Sequence, residues 1–202
     1  MTTSPQIPLT VFDLEFTAWE GSVARRWLGP GEFTEVVQIG AVKLDSVTFE
    51  EVDWFDVLVK PRLNPVLSDY LVALTGITNE DVAARGMDFA DAYRRFAEFA
   101  GSGRIVAFGR DDLVLQSNLR LYGIKNAPAL PPYTNVIAWL MAQGFDLRGK
   151  HACDVGPLAG AEFEGRAHNA LDDARSVAAG IRTLMAKGAP PLFALTSRSG
   201  AG

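Results

Sequence analysis

Leu9-Thr10-Val11-Phe12-Asp13-Leu14-Glu15-Phe16-Thr17 is a β-prone, oily run interrupted by two acids. Side chains two apart on a strand leave from the same face, so the carboxylates of Asp13 and Glu15 point together. Like charges at that spacing repel, and burying either one unpaired is costly. Hard carboxylate oxygens suit Mg²⁺ or Mn²⁺, and a divalent cation relieves both penalties at once. The strand is therefore a metal-site candidate as well as a core element.

Outward from it, hydrophobic segments at 36–44 and 54–59 read as two more strands, separated from the first by a Gly-, Arg- and Trp-rich loop over 20–34. Strand, loop, strand, turn, strand is most economically an antiparallel meander. Pro61 and Pro65 break the pattern. Helical pieces follow at 68–74 and 79–84, the second capped by Thr78 or Asn79 with Glu80 and Asp81 in its first turn. Phe89, Ala92, Phe96 and Phe99 recur at helical spacing across 88–100. A short strand at 104–108 leads into a helix at 111–122, with further helices at 136–142, within 151–159 and at about 171–186. Strands first, then helices and strands in alternation, predict an α/β fold with a mixed sheet. One domain is expected over 1–188, then a disordered tail over 189–202 with two prolines followed by serine and glycine.

The bulk properties narrow the classes. With 48% hydrophobic residues, 202 residues are enough to bury one full core. No apolar run approaches the roughly 20 residues that span a bilayer, so no membrane association is expected. The first eight residues lack the basic start and apolar stretch of a secretory signal. A single cysteine, Cys153, excludes an internal disulfide and fits a reducing, cytoplasmic setting. The net charge of −5 argues against binding nucleic acid by overall charge alone. Bound cations would reverse that sign locally.

Two further acidic groups stand out. Phe108-Gly109-Arg110-Asp111-Asp112 is a strand-to-helix corner, and His168-Asn169-Ala170-Leu171-Asp172-Asp173-Ala174-Arg175 opens the final helix. Each has a simple structural reading, because acids cap helix starts and favour the dipole there. The ordered set of Asp-x-Glu on a first strand, an aspartate at a mid-chain corner and His-x4-Asp near the end resembles the DEDDh exonucleases. The likeness extends over most of the chain and includes the Leu74-Thr75-Gly76-Ile77-Thr78 turn. Phe163-Glu164-Gly165-Arg166, leading to the histidine, is similar to the group of the histone-mRNA 3′ exonuclease and its bacterial sporulation-associated relatives.

That resemblance implies a ribonuclease H-like fold: a mixed five-stranded sheet flanked by helices, with the site at one sheet edge. It implies a metal-dependent 3′→5′ exonuclease acting on 3′ ends of single-stranded nucleic acid, RNA favoured over DNA, and releasing nucleoside 5′-monophosphates. Asp13 would bridge two Mg²⁺ or Mn²⁺ ions. Glu15 and Asp173 would complete one metal site, a mid-chain aspartate would serve the other, and His168 would be the general base. Alignment on Gly109 selects Asp112 for the mid-chain role, whereas helical register with Val114 and Leu115 selects Asp111. Glu15 and the backbone at Phe16, Thr17 and Ala18 would meet the terminal sugar and 3′-hydroxyl. Trp19 either stacks on the terminal base or is an ordinary half-buried aromatic.

Arg25, Arg26, Arg110 and Arg166 are candidate phosphate contacts or merely solvated charges. His151 reads as a helix-start or surface residue, Cys153 as a packed thiol, and Trp27, Trp54 and Trp139 as core. Asn135 reads as a helix cap. A non-catalytic nucleic-acid-binding or scaffold module, or a DNA proofreading-type exonuclease, are the competing functions. No protein partner is legible.

Overall fold

A computed structural model describes residues 8–193. The acid-bearing run is strand β1 (Leu9–Phe16). It lies in the middle of a sheet with β2 (Val36–Leu44), β3 (Glu51–Leu58), β4 (Arg104–Ala107) and β5 (Tyr133–Asn135), in the order β3-β2-β1-β4-β5. The first three strands form the expected antiparallel meander. β4 and β5 join in parallel on the other side of β1. β1 is thus where the sheet changes from antiparallel to parallel pairing, and the ends of strands at such a switch leave a crevice for ligands.

The helices are α1 (Ser22–Arg25), α2 (Asp69–Thr75), α3 (Asn79–Arg85), α4 (Phe89–Ala100), α5 (Asp111–Leu121), α6 (Ile137–Met141), α7 (Val155–Ala159) and α8 (Ala170–Ala186). A 3-10 turn at Ala152–Asp154 precedes α7. β1 sorts its side chains by parity. Phe12 and Leu14 enter a core with Ile39, Ala41, Phe89, Phe96 and Leu115. Leu9 and Val11 enter the opposite core, where α8 contributes Ala174, Val177 and Ile181. Phe12 is fully buried, with its ring 5.1 Å from that of Phe96; burying such a side chain is worth about 1.5–3 kcal/mol. Along the α8 side of β1, the strand turns from apolar to acidic at Asp13.

Local chemistry sets the helix starts. Ser68 accepts from the Leu71 N–H, Thr78 and Asp81 form a reciprocal capping box, and Asp88 accepts from the Ala90 N–H. Each satisfies donors that the first helical turn leaves free. Glu35 is buried at the entry to β2. Its Oε1 accepts from the N–H groups of Arg62 and Leu63 (2.7 and 2.8 Å) and from the Tyr122 hydroxyl (2.6 Å), and its Oε2 from the Asn64 N–H (2.6 Å).

Several expectations need correcting. β3 begins at Glu51, because its first residues pair with β2 although they lack apolar alternation. It is one of the sheet's two edge strands, so Trp54 is 57% exposed instead of core. The loop over 20–34 contains the single turn α1 between two left-handed residues, Gly21 and Arg26. Ordered packing runs past residue 188: Leu192 is buried and the Trp139 indole donates to the Pro190 carbonyl at 2.8 Å. The rest of the expected tail, 194–202, and the first seven residues lie outside the described part. Among the described residues no helix is long and apolar enough to cross a membrane.

Candidate active site

Three elements bring the acids together. β1 supplies Asp13 and Glu15, the β4-to-α5 corner supplies Asp111, and the first turn of α8 supplies Asp173. All four are buried. With His168 they line one cleft of about 450 Å³. One ligand atom each from Glu15, His168 and Asp173 lies within 4.8 Å of the others.

Each contributor is held by specific bonds. Asn118 ties α5 to the entry of β2, accepting from the Val36 N–H at 3.0 Å and donating to the Thr34 carbonyl at 2.6 Å. The corner before α5 is stapled by β5: the Tyr133 hydroxyl donates to the Gly109 carbonyl, and Asn135 Oδ1 accepts from the Gly109 and Ile137 N–H groups. The start of α8 docks on β2, where Gln38 Oε1 accepts from the Ala170 N–H at 3.0 Å. The Gln38 amide in turn donates to Asp56 on β3. Gly40, paired with Asp13, lets that helix approach closely; a Cβ there would lie 2.1 Å from the Leu171 nitrogen.

Helical register settles which mid-chain aspartate faces the cleft. Asp111 is buried on the same face as Leu115 and Asn118. The Asp112 carboxylate is instead engaged by Arg110, which donates to its two oxygens at 2.8 and 2.9 Å. Asp112, offered by the alignment on Gly109, therefore does not line the cleft. Arg110 is engaged in the same pair rather than turned toward a bound strand.

The electrostatics are those of an acid cluster without counter-charge. Among the described residues, no lysine or arginine pairs with any of the four cleft acids. Burial is the largest cause of the upward shift in every one of them. Asp13 is raised well above the usual carboxylate range, with Asp111, Glu15 and Asp173 adding repulsion. Glu15 is pushed up to about 8 by burial and then by Asp173 and Asp111. Asp111 rises to about 7 through burial and Asp112. Asp173 rises to about 7, with the His168 backbone N–H pulling the other way. Oδ2 of Asp111 and Oδ1 of Asp173 are buried without a hydrogen-bond partner. Orphaned carboxylate oxygens are rare in folded proteins, and hard cations are their natural partners. The donor set fits a divalent metal.

The cleft also has an apolar wall, formed by Phe16, Trp27, Tyr70, Leu71 and Leu74. Of the proposed sugar-contacting residues, Phe16 and Ala18 line the cleft and Thr17 does not. Thr17 is engaged within the protein: its hydroxyl donates to the Phe33 carbonyl and accepts from the Glu35 N–H, and its carbonyl accepts from the Trp27 indole. Trp19 does not line the cleft, whereas Trp27, read from the sequence as core, does. The Trp27 ring lies 5.4 Å from Phe16, because Arg26 and Trp27 both take positive φ and fold the loop back. Arg25 pairs with Glu32, and Arg166 donates to the Ala73 carbonyl; neither they nor Arg26 lines the cleft. Lys150 and His151 do; His151 also stands at a helix start and is exposed, as its sequence suggests, and the sequence assigns Lys150 no role. Only their neighbourhood in space identifies them, since no motif contains them.

This fold is that of a known family. A family model described as Exonuclease (RNase_T) matches residues 10–180, and the chain belongs to that family. The chain is similar to 3′-5′ exoribonuclease 1 of Homo sapiens, at 36% identity over 75 residues. The match takes in 37% of this chain and spans 20% of that relative's length. In three dimensions it resembles the nuclease domain of 3′hExo, a DEDDh family member, bound to rAMP (TM-score 0.77, 23% identity, covering 93% of this chain and 96% of that one). A 3′-exonuclease in a structure of 3′-end-specific recognition of the histone mRNA stem-loop is also similar (TM-score 0.76, 22% identity, covering 92% and 66%). These structural likenesses establish the mixed-sheet ribonuclease H-like architecture, and membership of the family implies a divalent metal.

Proposed function

We propose that the chain removes nucleotides one at a time from the 3′ end of single-stranded nucleic acid, RNA in preference to DNA, releasing nucleoside 5′-monophosphates. The observation that carries this reading is the cluster of four buried, mutually repelling carboxylates with two orphaned oxygens. In this reading Asp13, Glu15, Asp111 and Asp173 hold two Mg²⁺ or Mn²⁺ ions. Such ions, when bound, lower the pKa of water and stabilise charge on the phosphate and on the departing oxygen.

The remaining work falls to the protein's own groups. His168 is shifted below its ordinary value by burial, then by His151 and Arg166. Its imidazole is therefore neutral near pH 7 and able to accept a proton from the attacking water. The water oxygen then bonds to phosphorus while the bond to the 3′-oxygen of the preceding nucleotide breaks. Phe16, Trp27, Tyr70 and Leu74 offer the terminal base a stacking wall, an interaction worth about 1–3 kcal/mol per base. Glu15 and the backbone near Phe16 and Ala18 are the groups proposed to meet the terminal sugar. The RNA preference rests on the likeness to an exoribonuclease and on rAMP in a protein of similar fold. With a single cysteine, we place the protein in a reducing, cytoplasmic setting.

The test is to incubate the purified protein with Mn²⁺ and 5′-end-labelled RNA and DNA oligomers of matched sequence. A ladder shortening from the 3′ end, abolished by chelator and faster on RNA, is expected. Retention of both oligomers uncut in a stable complex identifies a binding module instead.

A further inference from the structure

His168 reaches the cleft from a backbone in the left-handed region, φ 60°, which residues other than glycine adopt uncommonly. The backbone is set by its neighbours: Asn169 caps α8, accepting from the Leu171 and Asp172 N–H groups. The ring is another matter. Among the described residues, no hydrogen bond reaches either imidazole nitrogen of His168. A histidine acting as a base is ordinarily aimed by a third group that bonds to its far nitrogen. Here the aromatic group against the ring is a second imidazole, that of His151. The ring centroids are 5.2 Å apart and the planes inclined at 70°. That edge-to-face arrangement is the one aromatic pairs prefer.

His151 is exposed, but the backbone that carries its ring is held in place. Its backbone N–H donates to Asp154 Oδ2 at 2.9 Å, and its carbonyl accepts from the Asp154 N–H at 3.1 Å. The 3-10 turn that follows is fastened to α8, because the Ser176 hydroxyl donates to the Cys153 carbonyl at 2.7 Å and accepts from the Gly156 N–H. Ala152 and Val155 are buried in the core beneath α8. The turn that follows His151 is thus fastened to the helix that carries Asp173, and His168 immediately precedes that helix.

We infer that His151 is a positioning residue whose ring, packed against the His168 imidazole, holds it in the orientation that receives the water's proton. This rests on the reading of His168 as the base. The aromatic contact is what acts, so a phenyl ring at position 151 can replace the imidazole.

The chain contains two histidines, so untagged protein labelled with ¹³C,¹⁵N-histidine gives two ring spin systems. An inter-ring NOE is expected. In parallel, Mn²⁺-dependent turnover of a single-stranded RNA oligomer is measured for wild type, His151→Ala and His151→Phe, with Mn²⁺ affinity by calorimetry. His151→Ala is expected to lower kcat by about tenfold, a modest share of what misplacing a catalytic group costs. KM and Mn²⁺ affinity stay unchanged, and His151→Phe regains most of the loss. An absent NOE, a kcat for His151→Ala close to wild type, or a phenylalanine variant as slow as the alanine variant overturns the inference. Hydrolysis by wild type in any of those cases leaves the nuclease reading standing. An NOE in a protein that cuts nothing overturns the nuclease reading, and the positioning role with it.

Discussion

Replacing Gly40 by alanine tests how closely the last helix must sit on the sheet. The added Cβ would fall 2.1 Å from the Leu171 nitrogen, 2.2 Å from the Ala170 carbonyl carbon and 2.6 Å from the Ala170 oxygen. All three are backbone atoms, so no side-chain rotation relieves the clash. Ordinary contact begins near 3.5 Å, and the start of α8 must retreat by roughly 1–1.5 Å. Overpacking of this kind costs about 1–3 kcal/mol. For a domain of this size that is a fall in melting temperature of about 2–12 °C. The retreat also stretches the Gln38–Ala170 hydrogen bond and withdraws Asp173 and His168 from Asp13 and Glu15. A misplacement near 1 Å can lower turnover by about a hundredfold. Thermal melts with chelator, Mn²⁺ calorimetry and RNA turnover are the assays. Loss of activity and weaker Mn²⁺ binding in a folded protein are expected. A Gly40→Ala protein with wild-type melting, metal affinity and kcat would refute the claim that this contact sets the site.

The raised acids give a pH dependence of stability in the metal-free protein. Glu15, Asp111 and Asp173 hold their protons in the folded state up to about 8, 7 and 7, whereas the unfolded chain releases them near pH 4. The folded state binds more protons across that window, so stability falls as pH rises from about 4 to 8. Melts in chelator should show this, and Mn²⁺ should stabilise more at pH 8 than at pH 5, since it binds deprotonated carboxylates. Asp13→Asn should abolish hydrolysis yet melt higher than wild type in chelator at pH 8, because a repelling charge is gone; a lower melting temperature there argues against repulsion. Asp111→Asn should reduce kcat by at least about a hundredfold, as expected for a lost metal-site donor. Asp112→Asn loses only a surface pair worth up to about 1 kcal/mol and should remain active; equal loss in both variants overturns the register assignment. The rate should fall in acid with a midpoint below about 6.5, because the neutral form of His168 is the active one and its proton affinity is lowered. A flat profile with saturating metal removes it as the base.

What was legible in the chain was whatever local pattern imposes. β1 showed as an alternating run whose outward acids had no partners in sequence, and β2 as an apolar strand with the same limits later found. For the mid-chain aspartate the sequence left Asp111 and Asp112 both open, and the structure buries Asp111 beside Leu115 and Asn118. What escaped depends on contacts between distant segments. β5 has three residues, too few for any period to register, and it exists by pairing with β4. β3 starts among acids because an edge strand needs only one neighbour. Trp27 entered the cleft through two positive-φ residues, a backbone turn that composition does not announce. His151 met His168 only after the turn before α7 had packed on α8.

The candidate centre draws Asp13 from the first strand and Asp173 from the last helix. During synthesis, therefore, the emerging chain exposes its first two acids long before the fourth exists. Until the final helix leaves the ribosome and docks against Gly40, the cluster of acids is incomplete. A polypeptide that ends before this helix therefore lacks one of the four acids of the candidate centre.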